Sequence, residues 1–424
     1  MGNDVLVVGC GVFGLATAVE MALRGYKVTA VDAHPIPSPW SAANDFNKII
    51  RTEYADLFYT KLALEALHYW RSDSDLNKVY CECGRLSLTP KRHKERSEFD
   101  KKGFENLALL GKGNAIKRYV SMDEFSKDFT VFGKHSLETD TEITFNPEGG
   151  LGYATESLLL MKKKAENLGV LFKCRSDYEV VRVVEDVDQD YVLTKCGLKL
   201  SATKILISSG AATAGIVNLK NQTFATGLFV GHIKLDEKEY NKYKNIPIVF
   251  SAEDGYYFPP DPKTKTIKIA ISLRECSNRV LDQFGNLCSL PLYKEYFEPN
   301  DTSGPLADEV IRFLKRTLPD LAHHSLFDIK LCWISDTPDS HFLIDKIPGS
   351  KNTFVSTGDS GHGYKFLPTI GRYISDRLED KLNPECARLW AWKERNGKFE
   401  KGSLNWRVRK AHIDLSKNNR PTDN

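Results

Sequence analysis

The feature that most constrains the fold is a glycine-rich turn near the start of the chain, Gly9-Cys10-Gly11-Val12-Phe13-Gly14. An apolar, strand-like stretch precedes the turn, and a segment with helical spacing follows it. In such a unit the first glycine allows the turn, the second admits a pyrophosphate and the third permits close packing of helix on strand. The turn therefore predicts a dinucleotide site that contains Gly9, Gly11, Val12, Phe13 and Gly14.

An acidic residue stands where this interpretation requires one. Asp32 ends the next strand-like stretch, which starts at Lys27, and follows Gly14 by eighteen residues. Its carboxylate can accept hydrogen bonds from a ribose, and the helix N-terminus offers free amides to the phosphates. A purely structural glycine turn is the alternative, and these residues alone do not distinguish NAD from FAD.

Composition excludes several other classes of protein. The chain has 424 residues with 59 Lys plus Arg and 56 Asp plus Glu, a formal net charge of +3 that gives no reason to expect nucleic acid. No apolar run approaches the roughly 18 residues of a membrane span. The nine cysteines are odd in number and thinly spread, and neither a signal peptide nor a Ser-Lys-Leu terminus is visible. We therefore expect a cytoplasmic protein without a disulfide framework.

The order of strand-like and helix-like segments predicts two interleaved domains of an α/β protein. Strand–helix–strand character occurs at the start, middle and end of the chain, whereas residues 226–275 contain several strands separated by Pro, Gly and Asp. We assign a discontinuous nucleotide-binding domain to residues 1–85, 150–215 and 325–385. An inserted α+β substrate domain with an antiparallel sheet takes residues 86–149 and 216–324, and residues 386–424 form a C-terminal tail.

A second group of motifs lies in the last third of the chain. One is the stretch Cys332-Trp-Ile-Ser-Asp-Thr-Pro-Asp, and the other is Ser356-Thr-Gly-Asp-Ser-Gly-His-Gly-Tyr-Lys-Phe366. The second reads as a strand that ends in a glycine-rich turn, which can bring backbone amides to a ligand. Taken alone, Cys332 is most simply a buried core thiol and Lys365 a solvated side chain.

Together with the segment Asn44-Asp-Phe-Asn-Lys-Ile-Ile-Arg51, these motifs resemble the monomeric sarcosine oxidase and fructosyl amino acid oxidase family. Its fungal branch includes saccharopine and pipecolate oxidases. The resemblance runs from about Asp4 to about Leu382 and implies a Rossmann-like FAD-binding domain with an inserted substrate domain. It also implies that FAD is attached covalently through the sulfur of Cys332, that the protein is a monomer, and that it acts on an amino acid with dioxygen.

The resemblance assigns roles to individual cations. Arg51 and Lys365 match the two residues that hold the substrate carboxylate, and Lys268 matches the lysine that activates dioxygen. An ordinary strand lysine is the alternative for Lys268. Lys48 matches, more loosely, a basic residue beside the flavin ring. Further cofactor contacts are implied for Ser41, Asn47, Gly361, His362, Gly363 and Lys365.

One position departs from the family pattern and bears on the substrate. Four residues after Lys268, the fructosyl amino acid enzymes have an acid that contacts the sugar, whereas this chain has Ser272. Arg274 and Arg279 follow nearby and can meet additional carboxylates, and Tyr257 is a candidate for the pocket lining. We therefore expect L-saccharopine or L-pipecolate as the substrate, with a fructosyl amino acid as the runner-up. A flavin-binding protein without turnover and an NAD-dependent dehydrogenase are more distant alternatives.

Two further groups carry no predicted chemistry. The pair Cys81 and Cys83 lacks the spacing of a zinc site, and His323 with His324 reads as a surface pair. We expect no metal site.

Overall fold

The computed structural model describes residues 3–293, 305–394 and 411–417, and the side chains of residues 272–274, 305, 306, 411 and 417 lie outside that description. Two large sheets organise the described residues. One sheet belongs to the nucleotide-binding part, and the other is formed mainly by the middle of the chain. Within the described ranges, no helix has both the length and the apolar character that a membrane crossing requires.

The nucleotide-binding sheet has six strands. All its neighbouring strands are parallel except the first pair of the spatial order, which is antiparallel. Parallel strands need long crossovers, so the connecting segments pack helices against the sheet. In spatial order the strands are Leu343–Lys346, Thr353–Thr357, Lys204–Ile207, Asp4–Val8, Lys27–Asp32 and Leu171–Cys174.

Three helices lie close together on this sheet: Val12–Leu23, Ala154–Asn167 and Ile370–Leu378. Their approach is close because small residues face one another. A Cβ built on Gly371 would stand 2.2 Å from the carbonyl oxygen of Ala16. The glycine therefore allows the last helix to touch the backbone of the first, below the glycine-rich turn.

The large sheet has nine strands and is mostly antiparallel, as predicted for the inserted domain. Two of its contacts are parallel, which the sequence did not predict: Ile248–Ser251 with Arg85–Pro90, and Thr266–Ser277 with Ala411–Asp414. The other strands in it are Phe327–Asp336, Phe224–Lys234, Gly255–Tyr257, Thr141–Asn146 and Lys117–Tyr119.

The remaining elements cover these sheets. The α-helices are Leu57–Ser72, Lys94–Leu109, Met122–Asp128, Glu237–Tyr243, Pro305–Thr317 and Pro384–Leu389. Short strands form three small sheets: Lys48–Ile50, Tyr80–Cys81 and Gly150–Gly152; Val180–Val184, Tyr191–Thr194 and Lys199–Leu200; and Arg279–Leu281 and Leu287–Ser289. Turns of 3-10 helix occur at Leu76–Val79, Thr130–Phe132, Ser176–Tyr178, Gly210–Gly215, Pro319–Leu321, Tyr364–Phe366 and Leu415–Lys417.

The strand pairing differs from the predicted division of the chain at two places. The strand Phe327–Asp336, assigned from the sequence to residues 325–385 of the nucleotide-binding domain, pairs with Phe224–Lys234 of the large sheet. Residues 386–424 are not simply a surface tail, because Trp390 is fully buried and Ala411–Asp414 joins the large sheet. The reason is apolar burial: a polar, basic stretch can still contribute single large side chains to a core.

Candidate active site

A cavity of about 770 Å³ opens at the carboxyl ends of the central parallel strands. This is the edge at which open α/β sheets bind ligands. The large sheet closes the other side of the cavity. Of the residues predicted from the sequence, those lining the cavity are Gly9, Gly11, Val12, Phe13, Asp32, Ser41, Lys48, Cys332, Gly361 and Gly363.

The glycines of the turn lie where their predicted roles require them. Gly9 has a φ of +98°, and a Cβ there would stand 2.5 Å from the carbonyl oxygen of Ser208. A Cβ on Gly14 would stand 1.9 Å from the carbonyl oxygen of Gly9, so Gly14 packs the helix against the strand and does not line the cavity. The corresponding position on Gly11 meets only Ser41 Oγ, at 3.8 Å, so its backbone is open to the cavity.

Asp32 presents a carboxylate to the cavity from the end of its strand. Its Oδ2 accepts from the amide of Cys10 at 2.9 Å, and its Oδ1 accepts from the amide of His34 at 3.0 Å. Burial raises the pKa of Asp32, although these backbone amides oppose the shift. The two amides hold the carboxylate at the end of the glycine-rich turn, where a ribose would meet it.

At the other end of the cavity, the thiol of Cys332 and the amino groups of Lys48 and Lys268 come together. Cys332 lines the cavity with Lys48, and its Sγ lies 3.5 Å from the carbonyl oxygen of Ala42. Lys268 is 1% exposed and does not line the cavity. These residues come from three distant segments. The strands of Lys268 and Cys332 both pair with Phe224–Lys234 in the large sheet, and Lys48 begins a short strand of a smaller sheet.

Asp45 joins the two lysines, and the sequence analysis missed it. Its Oδ2 lies 2.5 Å from Lys268 Nζ and 2.6 Å from Lys48 Nζ. Lys268 also donates to the carbonyl oxygen of Asn47 at 2.7 Å. Burial disfavours the charge on Asp45, but Lys268 and Lys48 outweigh burial and hold the pKa of Asp45 well below its usual range. Burial lowers the pKa of Lys268 to about 7, against the attraction of Asp45.

The predicted carboxylate clamp forms a second group of cations. The guanidinium of Arg51 lies 4.4 Å from the ring centre of Tyr54, and Lys365 Nζ lies 5.5 Å from the same centre. Lys365 is buried and donates to the carbonyl oxygen of His362 at 2.8 Å. Burial, and then the nearby Arg51, hold the pKa of Lys365 well below its usual range. Two cations this close would both gain from a carboxylate between them.

Two residues that the sequence analysis missed, Glu53 and Arg85, extend this group, and both are buried. Arg85 Nη1 lies 3.6 Å from Glu53 Oε1, and the side-chain amide of Asn146 donates to the same oxygen at 2.9 Å. Burial opposes the charge on Glu53, but Arg85 and Arg51 outweigh it and lower the pKa of Glu53.

His362 and Asn47 do not line the main cavity. His362 is buried, with Nδ1 3.2 Å from the hydroxyl of Tyr54 and Nε2 2.9 Å from the carbonyl oxygen of Ser340. Burial lowers its pKa well below the usual value, and its two ring contacts hold the turn that carries Lys365. Asn47 lines a smaller cavity of about 90 Å³, and its contribution to the site is the carbonyl oxygen that accepts from Lys268.

The prediction that Tyr257 lines the pocket is wrong, and the residue that lines the cavity is the one before it. Tyr257 is fully buried under the large sheet, with its ring centre 5.0 Å from that of Phe313, whereas Tyr256 lines the cavity. Successive strand residues face opposite sides of a sheet, so a shift of one residue exchanges core for cavity.

The remaining predictions concern three possible substrate contacts and the histidine pair. The side chains of Ser272 and Arg274 lie outside the described residues. Arg279 is exposed, with its guanidinium 5.8 Å from the ring centre of Phe224. His324, expected on the surface, is partly buried, and its Nε2 lies 2.9 Å from Glu239.

Comparison with known proteins identifies the family to which the chain belongs. The model of the DAO family, described as FAD dependent oxidoreductase, matches residues 4–377, and the chain belongs to this family. Its relatives include the L-saccharopine oxidase of Schizosaccharomyces pombe (strain 972 / ATCC 24843), which is 41% identical over 98% of both chains. A monomeric sarcosine oxidase of Bacillus sp. (strain B-0618) is 24% identical over 88% of this chain and 91% of its own.

Solved structures of similar proteins have the same fold. The structure of fructosyl peptide oxidase from E. terrenum matches with a TM-score of 0.86 at 28% identity, over 98% of this chain and 96% of the other. The fructosamine oxidase of Aspergillus fumigatus (Amadoriase II) matches with a TM-score of 0.83 at 27% identity, over 98% and 95%. The chain is therefore an FAD-dependent oxidoreductase whose relatives are amino acid oxidases.

The residues around the cavity fit FAD. Its lining runs from the carboxylate of Asp32, through the exposed backbone of Gly11, to Lys48 and Cys332. A dinucleotide needs a ribose acceptor, an open glycine backbone at the pyrophosphate and a shaped chamber for the ring. Those features occur here in that order.

Replacing Asp45 tests the buried lysine pair. Asp45→Asn leaves Lys268 without its counter-charge and should destabilise the protein by about 3–5 kcal/mol. The double variant Asp45→Asn/Lys48→Met should recover part of that loss, because one of the two positive charges is also removed. The measurement is the free energy of unfolding from denaturant titration at pH 7.

An exposed pair of the same spacing provides the control. Asp75→Asn breaks the surface pair with Lys78 and should change stability by less than about 1 kcal/mol. Because the pKa of Asp45 is depressed in the folded state, its contribution is present above about pH 4 and is lost as the pH falls below it. Equal effects of the two substitutions at pH 7 would contradict a buried, charge-bearing role for Asp45.

Proposed function

We propose that this protein is an oxidase of the secondary amine of an N-substituted amino acid, with L-saccharopine as the first candidate and L-pipecolate as the second. The observation that carries the proposal is the position of Arg51 and Lys365, two cations beside one tyrosine ring. The turn that carries Lys365 also contributes Gly361 and Gly363 to the FAD cavity. An amino acid held there by its carboxylate would lie next to the cofactor.

Bound FAD supplies the two-electron oxidant for the carbon–nitrogen bond, and dioxygen restores it with release of hydrogen peroxide. The imine formed from the amine is then hydrolysed by water. The protein's own contribution is orientation. Arg51 offers a planar, two-pronged contact to a carboxylate and Lys365 adds a point charge, so the amino acid is held in one position.

Lys268 provides the charge for the reaction with dioxygen. A positive group near the cofactor stabilises the negative charge that develops as dioxygen is reduced. The carboxylate of Asp45 and the carbonyl oxygen of Asn47 hold the ammonium group in place. Lys48 lines the cavity itself and supports the same field.

Cys332 is the proposed point of covalent attachment of FAD. It lines the cavity at the end where Lys48 and Tyr256 also lie. A thiolate is the nucleophile that such an attachment needs. The remaining proposed cofactor contacts are Ser41 and the turn that contains Gly361 and Gly363.

The substrate preference rests on the relative and on one replaced residue. The L-saccharopine oxidase named above covers the whole chain at 41% identity. Ser272 stands where a sugar-binding acid would be expected in a fructosyl amino acid oxidase. Arg274 remains a candidate for a distal carboxylate, and Arg279, which is exposed, is a weaker one.

A fructosyl amino acid is the alternative substrate, supported by the similarity to solved fructosyl peptide and fructosamine oxidases. A flavin-binding protein without turnover is the more distant alternative and would release no peroxide from any amine. We propose further that the protein is a cytoplasmic monomer.

The first prediction from the proposed function concerns the attachment of FAD at Cys332. Wild-type protein should remain yellow after acid precipitation, and Cys332→Ala should release its flavin into the supernatant or fail to retain it. The flavin absorbance of pellet and supernatant measures both. Cys196→Ala, at an exposed thiol, is the control and should behave like the wild type. Complete release of flavin from the wild type would disprove covalent attachment.

The second prediction concerns Lys268. Lys268→Met should slow reoxidation of the reduced enzyme by dioxygen about 10²- to 10³-fold, because one preorganised charge is lost. Anaerobic reduction by substrate should change much less, and stopped-flow absorbance separates the two halves. Lys263→Met, at an exposed lysine of the preceding turn, is the matched control. Equal slowing of both halves would remove the special role of Lys268.

The third prediction concerns the substrate. Among saccharopine, pipecolate, sarcosine, fructosyl-glycine and fructosyl-valine, saccharopine should have the highest kcat/KM, measured by peroxide release. Faster turnover of either fructosyl compound than of both saccharopine and pipecolate would refute this preference. Release of peroxide from none of the five would favour the alternative of a protein without turnover.

A further inference from the structure

The cations around Glu53 exceed what a single substrate carboxylate would use. Arg51 and Arg85 both act on Glu53, and Lys365 lies beside Arg51. Asp359 attracts Lys365 from the cavity side, but its oxygens accept from the amides of Ser335 and Gly361, at 2.9 and 3.1 Å. The proposed clamp accounts for Arg51 and Lys365, and it leaves Arg85 without an assigned role.

Arg85 is buried without the hydrogen bonds that a guanidinium normally makes. It begins the strand Arg85–Pro90, is 3% exposed, and lies 4.8 Å from the ring centre of Phe250. Its Nε donates no hydrogen bond within the part of the chain that the structure describes. Its distance of 3.6 Å to Glu53 is longer than a hydrogen bond. A buried, charged donor in this state is costly unless a ligand meets it.

Glu53 is already occupied by other donors. Its Oε1 accepts from Asn146 at 2.9 Å, and its Oε2 accepts from the amide of Thr52 at 3.0 Å. The neighbouring Arg96 shows what a satisfied buried arginine looks like in this region. It binds both oxygens of Asp100, at 3.0 and 2.6 Å. Arg85 has no such carboxylate among the described residues.

We propose that Arg85 binds a second carboxylate of the substrate, on the same amino acid half whose first carboxylate Arg51 and Lys365 hold. This inference rests on the proposed function. It specifies the substrate class as an N-substituted amino acid with an acidic side chain, such as the glutamate half of saccharopine. Pipecolate and simple fructosyl amino acids have no second carboxylate at that place, and they would leave the buried Arg85 with only its 3.6 Å ion pair to Glu53 and with Nε unbonded among the described residues.

The electrostatics of the site support this assignment. Burial lowers the pKa of Arg85 to about 10, with Arg51 and Arg96 adding to the effect against the attraction of Glu53. Arg51, Arg85 and Lys365 repel one another, and a ligand with two negative charges would relieve that repulsion better than a ligand with one. Arg85 is thus a specificity-determining residue that favours dicarboxylates.

Binding of unreactive acids tests this subsite separately from catalysis. Glutarate carries two carboxylates separated by three carbons, as glutamate does, and butyrate lacks the second. Wild-type FAD-loaded enzyme, measured by calorimetry, should bind glutarate at least about 30-fold more tightly than butyrate. Arg85→Met should weaken glutarate about 30- to 1,000-fold and leave butyrate within a few-fold. Arg85→Lys should keep part of the preference, because it keeps the charge.

The control variant Arg182→Met removes an exposed arginine to which no binding role is assigned, and it should change neither affinity. Equal binding of the two acids by the wild type, or equal weakening of both by Arg85→Met, would overturn the proposal. If Arg85→Met does not fold, the wild-type preference and the Arg85→Lys variant still decide it.

Measurements of turnover distinguish a failure of the Arg85 subsite from a failure of the proposed oxidase function. Arg85→Lys should raise the KM for saccharopine and leave the KM for pipecolate unchanged. If saccharopine and pipecolate are oxidised but Arg85 does not increase the affinity for glutarate, the proposed subsite is wrong and the proposed oxidase function stands. If glutarate is preferred and no amine is oxidised, the subsite stands and the oxidase assignment fails.

Discussion

The site depends on keeping positive charge buried next to the cofactor cavity. An ammonium or guanidinium group in the protein interior is costly unless a carboxylate or a set of carbonyl oxygens meets it. Asp45 does this for Lys268 and Lys48, and Glu53 does it in part for Arg51 and Arg85. The fold therefore has to position Asp45 and Glu53 as accurately as it positions the cations.

The two large sheets meet this requirement from opposite sides. The parallel sheet ends at the cavity and presents its glycine-rich turn and Asp32. The large sheet brings Lys268 and Cys332 on strands that both pair with Phe224–Lys234. Asp45 pairs with Lys268 of the large sheet and with Lys48 of the short strand that follows Asp45 in the chain. Small residues such as Gly371 allow the helices behind the parallel sheet to pack closely.

The two groups of cations differ in their partners in a way that matches the two functions proposed for them. Lys268 and Lys48 are both paired with Asp45, which suits the proposed role in the reaction with dioxygen. Arg51 and Lys365 share a tyrosine ring and have fewer anionic contacts, which suits the proposed binding of a ligand that brings its own charge. The same physical rule, that buried charge needs a partner, thus accounts for the permanent ion pair and for the proposed binding site.

The sequence by itself determined the elements whose signals are local. The spacing of glycines and Asp32 predicted the nucleotide-binding turn, and most strands and helices of the first 32 residues lie where the apolar pattern placed them. The motifs around Arg51, Cys332 and Lys365 identified the family before the fold was known. These features depend on residues close together in the chain, so their pattern can be read directly.

Only the tertiary structure decided which charges meet and which side of a strand faces the cavity. Asp45 and Lys268 are 223 positions apart, and no local pattern links them. Arg85 looks like an ordinary strand residue until Glu53 and Phe250 are placed beside it. Tyr256 lines the cavity in place of Tyr257 because the register of one short strand sets the facing of both. Pairing, register and burial arise from long-range packing, and they are the physical quantities on which the chemistry of the site depends.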